Sequence, residues 1–192
     1  MDETELLKKY NSLYLEIIMK YKDYIEEQEG LYVAELPKLV TPSDESVRGL
    51  AAIIASKFQD YNYADNFYDA AQLSYEFVKD SITSVTLPIQ FWLRPGLTIN
   101  YAAGDVFDKA VLLCSLLIAL GNPSTKIIIV IDENRRSFVV YFEFKEKVTA
   151  IDLEKGISTF GVRDELLKSL GVEEDGEATA YEFNDRMYND IA

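Results

Sequence analysis

The sequence predicts an α+β protein in which one buried central helix packs on an antiparallel β-meander. An almost uninterrupted apolar run, with helix-capping residues at both ends, covers residues 104–121. Three runs rich in β-branched and aromatic residues follow it, and only short turns separate them, which is typical of antiparallel pairing. Amphipathic helical patterns precede it, so we expect N-terminal helices to cover the helix and the sheet.

Length and composition indicate one folded domain. The chain has 192 residues, of which 48% are hydrophobic, so it can bury a single core. We expect an N-terminal helical part (1–63), a core (64–155) and a C-terminal helix with an acidic tail (156–192). The sequence shows no secretory signal pattern and no apolar run long enough to span a bilayer, so a cytoplasmic protein is expected.

The charge and the residue counts exclude several classes of function. With 33 acidic and 19 basic residues the net charge is −14, which repels nucleic-acid phosphates and anionic membranes, so neither is an expected partner. The absence of histidine removes the usual general base, zinc ligand and Ser–His or Cys–His pairing. A single cysteine excludes a disulfide framework and a multi-cysteine metal site. We therefore expect no metal and no other cofactor.

Three helical patterns precede the central run. Residues 3–29 carry apolar side chains at alternating spacings of three and four, which predicts a long amphipathic helix. Its stripe can pack on its own domain or pair with a second copy as a coiled coil. A second helix is predicted over 43–60, with the Thr41 hydroxyl as its cap and Pro42 at its first position. A third is predicted over 64–80. The side chains expected to face inward are Val47, Leu50, Ala51, Ile54, Phe58, Phe67, Ala70, Ala71, Ser74, Phe77 and Val78.

Residues 81–103 are predicted to be a loop because Pro88, Pro95 and Gly96 interrupt any periodicity. Trp92 lies in this loop beside Arg94. An aromatic ring next to a cation can line a ligand groove, or it can pin a long loop to the core. The sequence leaves both interpretations open.

The central helix has a clear start and a clear end. Asp105 can accept backbone N–H bonds there, and Asp108 adds a second carboxylate in the first turn, where the helix dipole favours negative charge. Gly121 ends the helix because it tolerates a left-handed conformation. Capping explains both aspartates, although a carboxylate pair can also perform acid–base chemistry or bind a metal. Cys114 lies among leucines, so we expect it to be buried and unreactive.

The chain after the central helix reads mainly as strands. Strands are predicted over 125–132, 137–144 and 148–153, with turns at 132–134 and 146–147. A short helix is predicted over 163–170. The acidic residues that follow are expected to be mobile up to 181–188, which we expect to form a docked turn or helix.

This order of elements resembles the transglutaminase-like (papain-like cysteine) superfamily, in its small microbial and archaeal core domains. The residues that carry the resemblance are Phe77-Val78 at the end of the preceding helix, Gly104–Ala110, Leu112–Gly121, Arg136–Tyr141 and Ala150–Leu153. The resemblance covers about 65–155 and implies a cysteine-proteinase-like fold. In that family a Cys follows Gly-Asp at the helix N-terminus, a His begins the facing strand, and an Asp on the next strand orients the imidazole.

This chain departs from the family pattern at both indispensable positions. Val106 stands where the resemblance places the nucleophilic Cys, and the His position is Arg136 or Ser137, depending on the register. Only Asp152 matches. The resemblance therefore predicts the fold but no catalytic residue of the family. We expect a catalytically inactive protein that binds a protein or peptide in a cleft formed by Trp92, Asp105, Val106, Ser137 and Asp152.

Two other functions remain open from the sequence. Asp105, Asp108 and Asp152 can support a carboxylate- or metal-dependent enzyme that uses the same cleft. Alternatively, the 3–29 helix makes the chain a structural subunit that forms homo-oligomers.

Overall fold

A computed structural model describes residues 33–85, 92–132, 136–172 and 178–191, together with residues 15, 18, 19 and 22. The predicted 3–29 helix lies outside the described residues, except for these last four, which are helical. Among them, Leu15, Ile18 and Met19 have exposed side chains. In the part of the chain that the structure describes, no helix is both long and apolar enough to cross a membrane.

The chain contains both helices and strands, and most of the described helices precede the main sheet. The described helices are a 3-10 helix (Val33–Leu39), α1 (Glu45–Ala55), α2 (Tyr63–Ser81), α3 (Pro95–Tyr101), α4 (Val106–Ala119) and α5 (Arg163–Ser169). Two short strands, β1 (Thr83–Ser84) and β2 (Ala103–Gly104), pair in parallel. The remaining strands form one sheet: β3 (Lys126–Ile131), β4 (Arg136–Phe144), β5 (Lys147–Asp152), β6 (Gly156–Phe160), β7 (Thr179–Phe183) and β8 (Tyr188–Asp190).

The six-stranded sheet confirms the predicted meander. Its order is β6-β5-β4-β3-β7-β8, and every neighbouring pair is antiparallel. One face of the sheet shares the main core with α1, α2 and α4. The other face carries a smaller core closed by Leu166 and Leu167 of α5. The predicted fold class is thus confirmed.

Helix α4 forms as its sequence predicts. Asp105 is its N-cap, and the side chains of Asp105 and Asp108 each accept from the other's backbone N–H in a capping box. Every residue from Phe107 to Leu117 is buried, so the helix is apolar nearly all round. Gly121 adopts a φ of 108°, a left-handed conformation that glycine accommodates without steric cost.

The start of the second helix differs from the prediction. Asp44, and not Thr41, caps α1: its carboxylate accepts from the N–H groups of Ser46 and Val47. Aspartate and threonine both cap helices well. Here the Asp44 carboxylate is the group that accepts from the free N–H groups of the first turn. Helix α1 also ends at Ala55, earlier than predicted. In α2 the buried set includes Tyr75, whereas Phe77 is only partly buried.

The prediction was wrong for several elements. The loop expected over 81–103 contains α3, because Pro95 occupies the first turn of a helix, where proline is favoured, and does not interrupt one. The segment 156–160 is a strand that the sequence analysis did not predict. The docked turn or helix expected over 181–188 is instead β7, followed by β8. Strands β6, β7 and β8 form because they pair with strands already in the sheet, and no local sequence pattern predicts that pairing.

Candidate functional site

The candidate site lies at the N-terminus of α4, where two carboxylates are held by backbone groups. The Oδ1 atom of Asp105 accepts from the N–H of Asp108 at 2.8 Å, and Oδ2 of Asp108 accepts from the N–H of Asp105 at 3.0 Å. The other oxygen of Asp108 accepts from the N–H of Leu93 at 2.7 Å. Asp108 therefore ties the segment before α3 to the first turn of α4.

Burial changes the protonation of this pair. Asp108 is fully buried. Burial, followed by the nearby charge of Asp105, raises the pKa of Asp108 to about 7, even though two backbone N–H groups oppose the shift. Burial also raises the pKa of Asp105. At neutral pH the first turn of α4 thus holds a carboxyl group close to its titration point.

An aromatic cluster surrounds the same turn. The ring of Phe107 lies 5.1 Å from that of Trp92 and 5.3 Å from that of Phe138 on β4, measured between centroids. The ring of Phe183 on β7 lies 6.3 Å away. Trp92 is half-buried, so part of its ring reaches the surface. Of the two open interpretations of Trp92, the structure supports docking against the core, with the residue only partly buried.

The structure brings Trp92, Asp105 and Val106 to this end of α4. Val106 is the first helical residue and is half-buried. Strand residues alternate between faces. Phe138 contacts Phe107, so Arg136, two residues earlier on β4, falls on the face that packs against α4. It is exposed at the start of the strand.

The structure places Ser137 and Asp152 on the face of the sheet that points away from α4. Asp152 pairs with Val139 across β4 and β5, and Val139 belongs to the core on the far side of the sheet. Ser137 shares that face by alternation. The reason is register: the two-residue turn at Lys145 and Glu146, both with positive φ, sets which residues of β5 lie opposite β4. Asp152, the one residue that matches the family pattern, therefore lies outside the candidate cleft.

Asp152 has a local structural role. Its Oδ1 atom accepts from the N–H groups of Glu154 at 2.9 Å and Lys155 at 3.0 Å. Its Oδ2 atom lies 3.4 Å from the Lys155 ammonium. This is the behaviour of an aspartate that stabilises a turn, here the one between β5 and β6.

Cys114 is placed as the sequence predicts. It is fully buried in α4, and burial, together with the charge of Asp185, raises the pKa of its thiol well above the ordinary value. A thiol in such surroundings is neither ionised nor accessible at neutral pH. Cys114 is therefore not placed to act as a nucleophile.

One polar contact near the site was not predictable from the sequence. Lys109 is buried in the first turns of α4, and its ammonium donates to the Ser84 hydroxyl of β1 at 2.8 Å. Burial lowers the pKa of Lys109. A lysine inside an otherwise apolar helix was the available signal, but its partner lies 25 residues away in the chain.

The described residues offer no ready metal centre. No group of three or more Cys, Asp or Glu side chains is placed to hold a metal ion in the described ranges. The N-terminus of α4 carries a half-buried aromatic residue, Trp92, and a half-buried aliphatic residue, Val106. Such a surface is suited to contact with another molecule.

The capped, buried helix packed against an antiparallel sheet defines a transglutaminase-like fold. The structure is similar to that of Legionella pneumophila LapG (EGTA-treated), which has this fold; the two are 17% identical with a TM-score of 0.50, over 83% of this chain and 90% of that chain. A second structure of Legionella pneumophila LapG is 18% identical, with a TM-score of 0.47 over 82% of this chain and 87% of that chain.

A calcium-bound structure of Legionella pneumophila LapG is 19% identical, with a TM-score of 0.44 over 73% of this chain and 86% of that chain. At these identities the first similarity shows the fold alone. The sequence matches no protein-family model and no curated protein.

Proposed function

We propose that this protein is a catalytically inactive transglutaminase-like protein that binds a protein or peptide at the N-terminus of α4. The observation that carries the proposal is Val106 in the first turn of that helix, at the position of the family's nucleophile. An isopropyl group cannot form a covalent acyl intermediate. The absence of histidine from the chain and the burial of Cys114 support the same conclusion.

The surface around Val106 supports binding. Trp92 and Val106 are half-buried, and Arg136 is exposed on the same face of the sheet. Tryptophan and arginine are the side chains that most often dominate the energy of an interface. Asp108 and Phe107 hold this surface rigid from below through the contacts with Leu93 and Trp92, and rigidity lowers the entropic cost of binding.

Peptide selection tests the proposal. Random peptides displayed on phage are selected on the wild-type protein, and their affinities are compared with those for Val106→Arg and Trp92→Ala. We expect each substitution to weaken the binding of the selected peptides by about tenfold or more. Val106→Arg places a large charged side chain at the centre of the surface, and Trp92→Ala removes its aromatic ring. Ile53→Arg is the matched control, because Ile53 is 60% exposed on α1 and is not one of the proposed cleft residues.

Two outcomes contradict the proposal. One is that every selected peptide binds Val106→Arg as tightly as it binds the wild type. The other is that the wild-type protein hydrolyses or transamidates the peptides that it binds, and that the reaction persists after rigorous purification.

Two observations favour other functions. Leu15, Ile18 and Met19 are exposed apolar residues in the N-terminal helical stretch, which favours a homo-oligomer formed by residues 3–29. Deletion of those residues then converts the oligomer to a monomer in analytical ultracentrifugation, and an unchanged oligomeric state rules this function out.

The raised pKa of Asp108 favours acid–base chemistry by its carboxyl group, either alone or with a bound metal. That function requires a thermal shift with a divalent cation or a reaction that Asp108→Asn abolishes.

A further inference from the structure

Strand β6 is an edge that lacks the usual protection against further pairing. It pairs with β5 alone among the described strands, in a continuous one-to-one register. Natural edge strands are usually short, bulged, or marked by lysine or proline. The five residues Gly156–Phe160 carry no charge and no proline, and Ser158 and Thr159 are exposed. Within the described part of the chain, the outer backbone groups of β6 have no strand partner.

The opposite edge of the sheet is different. Strand β8 has only three residues and ends in Asp190. The 3-10 helix lies next to it, and Leu36, Leu39 and Tyr188 share one core. This edge is short, charged and covered, so the two edges of the sheet are not equivalent for pairing.

A hollow of about 320 Å³ adjoins β6 on the side of α2. Thr159 of β6 and Thr149 of β5 form part of its wall, and Tyr68, which is 39% exposed, contributes from α2. The charged residues of the hollow are Lys145, Lys147 and Asp65. Two cations against one anion make this hollow locally basic on a chain whose net charge is −14.

The hollow is separate from the candidate cleft. Its Phe144 ring lies 5.4 Å from that of Tyr63, and Tyr63 packs beside Gly121 at the C-terminal end of α4. The cleft is at the N-terminal end of the same 14-residue helix, which is about 21 Å long. A ligand at β6 and a ligand at Val106 therefore occupy different sites.

We propose that the outer edge of β6 binds an extended segment of a partner protein by strand addition, with an acidic side chain of that segment in the hollow beside Lys145 and Lys147. An added strand lies about 4.8 Å from β6 and places alternate side chains on the α2 side. Those next to Thr159 reach the hollow. Backbone hydrogen bonds supply the affinity, and the hollow selects the side chain.

Charge selects a partner segment over a second copy of this chain. Two copies carry −14 each and repel one another as whole molecules. A short acidic segment mainly experiences the charges within about 8 Å at physiological salt, and two of the three charged residues that line the hollow are lysines. The occupant is thus an extended, acidic peptide segment.

The test uses the full chain and a phage library of random dodecapeptides, with affinities measured by fluorescence polarisation. Ser158→Pro and Thr159→Pro are both made, because adjacent strand residues direct their N–H groups to opposite sides. One proline removes an N–H from the outer edge, and the other disrupts pairing with β5. Circular dichroism identifies the variant that remains folded, and that variant is compared with the wild type.

We expect the selected peptides to be rich in Asp and Glu at alternate positions. The folded proline variant should bind these peptides about tenfold or more weakly than the wild type, since it lacks a backbone N–H on the outer edge. Lys147→Glu should lower the peptide affinity by about fivefold, because one attraction is lost and one repulsion is added. Lys168→Glu, the same change of charge on an exposed residue of α5 outside the hollow, should leave affinity unchanged.

Four outcomes overturn the proposal: no peptide is selected, the proline variant binds as the wild type does, the two lysine variants behave alike, or the wild type dimerises through β6 and the proline variant is monomeric. Binding at the edge should also be insensitive to Val106→Arg. Peptides that Val106→Arg releases belong to the α4 cleft, so the failure of one site is distinguishable from the failure of the other.

Discussion

Glu182 connects its own strand, β7, to four other elements of the fold through one buried carboxylate. It is 3% exposed. Its Oε1 atom lies 3.2 Å from the Lys126 ammonium of β3, and its Oε2 atom lies 3.0 Å from Nη2 of Arg163 on α5. The Tyr141 hydroxyl of β4 and the Asn189 amide of β8 also donate to it. We predict that Glu182→Gln, which keeps the size but removes the charge, destabilises the protein.

The magnitude follows from the exposure of the partners. Removal of one member of a buried ion pair costs about 3–5 kcal/mol when the other charge stays buried. The side chains of Lys126 and Arg163 are 21% and 32% exposed, so water can partly replace the lost carboxylate. We therefore expect the free energy of unfolding to fall by about 2–3 kcal/mol at neutral pH.

The loss should depend on pH in a defined direction. Burial would raise the pKa of Glu182, but the hydrogen bond from Tyr141 and the charges of Lys126 and Arg163 outweigh it and leave the pKa below its ordinary value. Such a carboxylate contributes its full stability above the unfolded-state pKa, near about 4.3. It loses that contribution as the pH falls through the lower folded-state pKa. The difference between wild type and variant should therefore shrink below about pH 4.

Urea unfolding followed by circular dichroism, at about pH 7 and about pH 3.5, measures both effects. Glu143→Gln is the control, because Glu143 is exposed on β4 and its change should stay within about 0.5 kcal/mol. The reasoning is refuted if Glu182→Gln costs less than about 1 kcal/mol at neutral pH or costs the same at both pH values.

Three further predictions test the candidate site. Iodoacetamide should alkylate Cys114 rapidly in denaturant but not in the native protein, because the thiol is buried and un-ionised; rapid native labelling would reopen a cysteine mechanism. Asp108→Asn should lower the free energy of unfolding by about 1–3 kcal/mol at about pH 5, since one backbone N–H loses its acceptor. Because the pKa of Asp108 is raised to about 7, the wild type loses stability as the pH rises from about 4 to 7. The difference in the free energy of unfolding between the wild type and Asp108→Asn, measured in urea, should therefore become smaller toward about pH 8. A difference that grows with pH contradicts the raised pKa. Phe107→Ala should cost about 3–5 kcal/mol and change the fluorescence of Trp92, whereas Ile53→Ala, on an exposed residue, should do neither.

Short-range patterns in the sequence were sufficient for the centre of the fold. The Gly-Asp start, the apolar run and Gly121 define α4, because capping and helical burial involve residues within a few positions of each other. The β-branched run of β3 and the short turns after it define the meander for the same reason. The burial of Cys114 was likewise predictable from the chain alone, because leucines surround it in the sequence of α4.

Pairing between distant segments decided what the sequence left open. Strand β7 forms because β3, more than 45 residues earlier in the chain, offers it an edge, and β8 then pairs with β7. The face on which Asp152 lies depends on a register set by the β4–β5 turn, where a shift of one residue moves every side chain to the other face. Sequence therefore determined which residues could form the site. Only tertiary structure decided that Asp152 lies on the other face of the sheet and that β6 pairs with β5 alone among the described strands, because sheet register and strand order are properties of the assembled chain.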